Sequence, residues 1–328
     1  MRKTWASAIG VAAAVLVLAG CAPLPATSPT ATAEPFDPNA LSVVATTTQV
    51  ADFTREVGGS AAQVTQLIQP NQSAHSYDPS ASDLVALSQA DLIVENGAGL
   101  EEWLKDAIDA SGSHAVVVDA STGIALDGHG AAESGEEHGS NPHIWTDPRR
   151  AAQMVNTIAD ALAAGYPRQA SAIQDRAEAY TAKLTALDDW TRQNVDTVPA
   201  AQRLFVSNHD AFGYFVEAYG IDYVGSVIPS FDDNAEPSAA EIDRLVVDIK
   251  ATGTTAVFSE ASLSPKLADT IAREAGVKVY DGDDALYGDS LGPAGSDGDT
   301  YIRAQLHNVR QLLDSWGVTP TELPAELQ

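Results

Sequence analysis

Cysteine is almost absent from this chain of 328 residues, where Cys21 is the only one. A single cysteine closes no intrachain disulfide and builds no thiolate metal cluster, so neither staples the fold. Positive charge is scarce as well. Eighteen Lys and Arg stand against 45 Asp and Glu, for a formal net charge of −27. Such a surface repels phosphate backbones and anionic headgroups, which excludes nucleic acid and charge-driven lipid binding. It favours cations, but a solvated acidic surface accounts for the same excess and identifies no metal. The His-Glu-x-x-His helix of zinc proteases is also missing.

The one long apolar run lies at the start, over residues 6–19, behind Arg2 and Lys3. It suits an export signal and is short for a membrane-spanning helix. It ends in Leu18-Ala19-Gly20-Cys21, which resembles a bacterial lipobox. Residues 1–20 are therefore expected to be a lipoprotein signal peptide, with Cys21 the acylated anchor. Residues 21–40 are rich in Pro, Ala and Thr and carry no hydrophobic period, as in a flexible tether. The expected location is extracytoplasmic, on the bacterial cell membrane.

Beyond residue 41, β-rich runs alternate with stretches of helical spacing. Strands are expected at residues 41–45, 64–68, 91–94 and 115–119, with helices at 49–57, 82–89 and 100–110. The second half repeats the theme, with strands at 203–207, 223–228, 255–258 and 277–280. Its helices are expected at 210–219, 239–251, 265–274 and 301–316. Between the halves, residues 167–195 contain no glycine, and Ile173, Ala177, Tyr180, Leu184, Leu187 and Trp190 recur at steps of three and four. That spacing predicts one long amphipathic helix of roughly 40 Å. The fold class is α/β, with two lobes (41–166 and 196–328), each a mostly parallel sheet flanked by helices. A rigid helix joins them and a cleft lies between.

Seven histidines are present, and three fall outside predicted helix and strand interiors. His75 follows the second strand, His143 precedes a helix, and His209 ends a strand. Ligands of open α/β sheets gather outside the carboxyl ends of strands, so all three rings can face one crevice. Ser80 with Asp83 reads as a capping pair for the helix after His75. His129 and His138 lie in an acid- and glycine-rich stretch, 122–140, readable either as a zinc-collecting loop or as a solvated surface loop. His114 and His307 read as structural.

The segments Pro70–Pro79, Asn141–Pro148 and Ser207–Phe215 resemble the three histidine motifs of zinc and manganese solute-binding proteins of ABC transporters. Glu236–Glu241 is similar to that family's turn into a helix. Tyr287-Gly288-Asp289-Ser290-Leu291-Gly292, with Thr300, Tyr301 and Asn308, is similar to its closing segment. The resemblance implies a metal held between the lobes by His75, His143, His209 and Asp289. The Asp-Ser-Leu-Gly context selects Asp289 over Asp281, Asp283 and Asp284. Three imidazoles and one carboxylate suit zinc, and the resemblance places glutamate at the position of His209 in manganese binders. It further implies an ABC permease as partner, a metallochaperone as a candidate loader, and a monomer that is not an enzyme. The alternatives are a manganese importer component, a zinc-dependent hydrolase and a zinc-containing surface adhesin. Glycine-rich residues 288–298 are expected to be able to move.

Overall fold

Short runs of Val, Ile and Leu build the first sheet. The structure, a computed structural model, describes residues 37–126 and 140–328. Cys21, the signal, most of the tether, His129 and His138 lie outside the described residues. Strands β1 (Leu41–Ala45), β2 (Ala62–Gln66), β3 (Leu92–Glu95) and β4 (Val116–Asp119) pair in the order β2-β1-β3-β4, all parallel. The expected strand at 64–68 is shifted only in name, because Leu67 and Ile68 still donate to Ala45 and Thr46 carbonyls.

Alternation along these strands feeds two apolar layers. Val43, Ala45, Leu92 and Val94 face α1 (Thr48–Gly58) and α4 (Pro148–Gly165), whereas Val44 and Ile93 face α2 (Ala81–Ser88) and α3 (Leu104–Ser111). Helix α2 starts on the expected capping box of Ser80 and Asp83. Helix α3 starts later than expected. Residues 96–101 form a turn around the buried Glu101 carboxylate, which accepts from Thr46 Oγ1 and from the backbone N–H groups of Asn96 and Gly97.

The carboxyl-terminal half carries two parallel pairs, β5 (Leu204–His209) with β6 (Asp222–Ile228) and β7 (Ala256–Phe258) with β8 (Lys278–Tyr280). A continuous sheet was the expectation, and β5 does lie beside β7. Aromatic side chains and a buried carboxylate occupy that seam. Phe205 and Phe258 sit 5.3 Å apart, Phe258 stacks on Tyr280, and the His209 backbone N–H goes to the Glu260 side chain. Val206, Val227 and Val257 pack beneath Leu245, Ile249 and Ile271 of α7 (Ala239–Thr252) and α8 (Lys266–Ala275). Between β5 and β6, α6 spans Gly213–Tyr219 and begins after Asp210, whose N–H is taken by Ser230.

The long helix is α5 (Ala170–Val195), entered through a 3₁₀ turn at Pro167–Gln169. Its 26 residues span about 39 Å at 1.5 Å per residue. Ile173, Ala177, Tyr180, Leu184, Leu187 and Trp190 are all buried. They pack against α4, α1 and α9 (Tyr301–Ser315), so α5 is embedded in the core rather than free-standing. Phe53 of α1 lies 6.2 Å from the Tyr180 ring and 4.9 Å from the Tyr301 ring, binding the two halves through one aromatic cluster.

Candidate metal centre

Four side chains, one each from the segments that follow β2, precede α4, end β5 and follow β8, meet. His75 lies in the loop after β2, where its N–H donates to Ser73 Oγ at 3.2 Å. His143 caps a 3₁₀ turn (Ile144–Thr146) whose Thr146 hydroxyl donates to the His143 carbonyl. His209 is the last residue of β5. Asp289 lies between β8 and α9, in a segment where Asn308 pairs with both the N–H and the carbonyl of Tyr287.

The structure brings these four side chains together. Nε2 of His143 lies 3.2 Å from Nε2 of His75 and 3.3 Å from that of His209. Asp289 Oδ2 is 3.4 Å from both His75 and His209, and Oδ1 is 3.3 Å from His143. Donors about 2.0–2.1 Å from a central ion stand roughly 3.3–3.4 Å apart at the corners of a tetrahedron. The observed spacings have that size. Among the described residues, no other group of three or more His, Cys, Asp or Glu side chains converges in this way.

Hydrogen bonds fix two of the rings. Asn141 Oδ1 accepts from the His143 backbone N–H at 3.0 Å, so the His143 Nδ1 that lies 2.8 Å from it must also be a donor. Glu260 Oε1 accepts from the His209 N–H and from its Nδ1 at 2.6 Å. With Nδ1 protonated in both rings, neutral Nε2 atoms present lone pairs to each other. Only a cation or a proton between them relieves that repulsion. Neither oxygen of Asp289 has a hydrogen-bond partner beyond the imidazole nitrogens, although both are buried. A buried, unpartnered carboxylate facing lone pairs is chemically suited to hold a divalent ion.

The charges agree. Burial lowers the pKa of His143 to about 4, against the pull of Asp289. Burial also opposes protonation of His209, but Glu260 and Asp289 outweigh it and raise its pKa well above the usual value. His75 is raised too, by Asp289 against burial. Burial works to protonate Asp289, yet His209 and His143 hold its pKa well below the ordinary range.

The glycine-rich segment differs from expectation at its start. Residues 288–292 are buried. The Gly288 carbonyl accepts from Gln49 Nε2 and Trp145 Nε1, each at 3.1 Å. Leu291 N–H donates to Thr48 Oγ1, and Ser290 Oγ accepts from the Asn71 N–H. Glycine here answers to packing, since a Cβ on Gly288 would collide with the Glu260 carboxylate and one on Gly298 with the Tyr287 ring. Gly288–Gly292 also spells Gly-x-Ser-x-Gly, a pattern shared with hydrolase nucleophile elbows. Ser290 sits in the long loop between β8 and α9 rather than on a tight strand-to-helix turn, and donates to the Leu291 carbonyl rather than to a histidine.

Sequence reading missed Asn141, Glu260, Gln49 and Trp145. Asn141 was accessible as a short polar residue two places before His143, and Glu260 as an acid just past the strand beside β5. His307 bonds the Ala285 carbonyl and packs on Tyr287, while His114 is exposed ahead of β4.

Residues 43–315 match the family model described as "Zinc-uptake complex component A periplasmic". The chain is 33% identical over 294 residues to the manganese-binding lipoprotein MntA of Halalkalibacterium halodurans, covering 90% of this chain and 92% of that protein. It is 34% identical over 248 residues to the zinc-binding lipoprotein AdcA of Streptococcus pneumoniae, covering 73% of this chain but only 49% of that longer protein. Among solved structures, the periplasmic zinc-binding protein TroA of Treponema pallidum superposes with a TM-score of 0.75 at 26% identity, over 84% of this chain and 98% of that one.

Proposed function

Because this chain belongs to the family of zinc-uptake complex component A, we propose that it captures zinc outside the cytoplasm and delivers it to an ABC-type importer. The observation that carries the reading is the convergence of His75, His143, His209 and Asp289, whose ligand atoms all lie within 4.8 Å of one another, with lone pairs and an unpartnered carboxylate turned inward. Three imidazoles and one carboxylate are a borderline-soft set matched to zinc. The ion is cargo, and no reaction is performed on it. Four protein donors fill a tetrahedral site and leave no position for a reactive water, which argues against a hydrolase.

Binding needs the two outer nitrogens already fixed. Asn141 and Glu260 hold the His143 and His209 rings, so the ion meets preset lone pairs. His75 and His143 come from the amino-terminal half, His209 and Asp289 from the other, so bound zinc ties the halves together. The permease would reverse this by drawing them apart. Lipidation at Cys21 would keep the protein at the membrane beside that permease, with residues 21–40 as the tether. Cys21→Ser should then release the protein into solution with zinc binding intact.

Manganese is the second reading, and Asp289 favours it. Both of its oxygens are unpartnered and each lies within 3.4 Å of a histidine nitrogen, so the carboxylate can chelate with both and admit a fifth donor bond. The Halalkalibacterium relative is itself described as manganese-binding. Elemental analysis of the purified chain, followed by competition between zinc and manganese, decides. One zinc per chain that excess manganese fails to displace is expected. Displacement by manganese transfers the assignment to that metal.

A further inference from the structure

We propose that Asp233 is a gate carboxylate, the group that first receives the ion at the mouth of the site and last releases it. This rests on the metal-capture reading above. Only one of the four ligand side chains reaches solvent: His75 is 10% exposed, and His143, His209 and Asp289 are at 0%. An ion bound for the buried trio therefore passes His75. The loop after β6 covers that approach. Phe231 is buried with its ring 6.3 Å from the His143 ring, and Ser230 accepts from the N–H of Asp210, next to His209.

Asp233 fastens this loop to the opposite half. Its Oδ1 accepts from Ser73 Oγ at 2.8 Å and from Asn234 Nδ2 at 2.7 Å. Ser73 Oγ in turn accepts from the His75 backbone N–H. One hydroxyl thus joins the lid to the backbone of the only accessible ligand. Asp233 is 7% exposed, and its Oδ2 is buried with no partner. Leaving a carboxylate oxygen buried and unpaired is costly, and it persists where a cation is to be met. The charges of Asp289, His75 and His209 all act on Asp233, which puts it within electrostatic reach of the site. Asp232 beside it is exposed and shares no bond with the His75 loop, so it adds charge without a latch.

The sequence of events follows from these bonds. Opening the Ser73–Asp233 bond leaves Oδ1 held by Asn234 alone and lets the carboxylate turn its unpartnered Oδ2 to the ion as it sheds water. The ion then moves to His75 and Asp289 and on to the inner rings, after which Ser73 recaptures Asp233. Release runs backwards.

The test is stopped-flow mixing with zinc alone, and with a chromophoric chelator for dissociation. Asp233→Asn keeps an oxygen for Ser73 but loses the charge. It should still bind one zinc per chain, while association and dissociation both slow by about ten-fold, the low end of what a charged cleft contributes. Asp233→Glu should recover most of both rates. Ser73→Ala should accelerate both, since it removes the latch and keeps the charge. If Asp233→Asn leaves both rates within about two-fold of the parent, or changes dissociation alone, Asp233 is no gate. A failure of the four-ligand reading shows up separately, as Asp289→Ala binding zinc like the parent.

Discussion

Nδ1 of His209 lies 2.6 Å from Oε1 of Glu260, and the same oxygen accepts the His209 backbone N–H at 3.1 Å. One carboxylate therefore sets the ring, its tautomer and the end of β5 at once. Glu260→Gln retains an acceptor for both bonds and removes only the charge. Outer partners of metal-bound histidines are typically worth about 10–100-fold in affinity, so zinc should bind more weakly by that factor at unchanged stoichiometry. Chelator competition measures it. Parental affinity in the Gln variant means the charge of Glu260 does not tune the ring.

Proton competition should be uneven among the three rings. His75 and His209 have raised pKa values, whereas burial takes His143 down to about 4. A raised imidazole is protonated up to a higher pH, so zinc must displace protons from His75 and His209 but not from His143. Between about pH 5 and 6, zinc binding should release close to two protons, with the third appearing only as pH falls through about 4. Calorimetry in buffers of different ionisation enthalpy counts them. Three protons released at about pH 6 would contradict the neutral state of His143.

Asp52 couples α1 to α9, accepting the Tyr301 N–H at 2.9 Å. Burial raises its pKa to about 6, the Tyr301 bond opposing. With the folded value above the unfolded one, its contribution is fully present below about pH 4 and is lost as pH rises through 6. Asp52→Asn keeps the acceptor and never ionises. Its unfolding free energy from urea titration should exceed the parent's at about pH 8, by up to about 3 kcal/mol, and match it only near about pH 3.5. Equal gains at both pH values would mean that ionisation of Asp52 is not the cause.

Local signals were legible in the sequence, and distant ones were not. The capping box at Ser80, the face of α5 from Ile173 to Trp190, the loop after β2 carrying His75 and the strand end carrying His209 follow from local pattern. Helix starts slipped where a side chain outside the period intervened, as Glu101 does ahead of α3. Glu260 escaped notice because its partner lies 51 residues away, and no periodicity reports a contact made across two parallel pairs. The glycines at 288 and 298 read as mobility from composition, whereas Glu260 and Tyr287 fill the space their side chains would take. Small size serves flexibility and close packing alike, and only the neighbours tell them apart.

Asp289 should matter as much as any histidine, because its segment is anchored by the opposite half. The Gly288 carbonyl is held by Gln49 and Trp145, Leu291 by Thr48 and Ser290 by Asn71. Asp289 is also the only anionic donor in a buried site. Removing one partner from a buried charge pair costs about 3–5 kcal/mol, so Asp289→Ala should weaken zinc by about 10²–10⁴-fold. Trp145→Phe keeps an aromatic ring but gives up one bond to Gly288. The loss of about 1 kcal/mol corresponds to roughly five-fold weaker zinc, transmitted through the placement of Asp289. The anchoring bonds do not involve the ion, so the Leu291 amide should be protected from hydrogen exchange with or without zinc. Rapid exchange at Leu291 in the zinc-free protein, with a mild effect of Asp289→Ala, would restore a mobile segment as the release route. Slow exchange and a severe Asp289→Ala require the halves to part before the ion leaves.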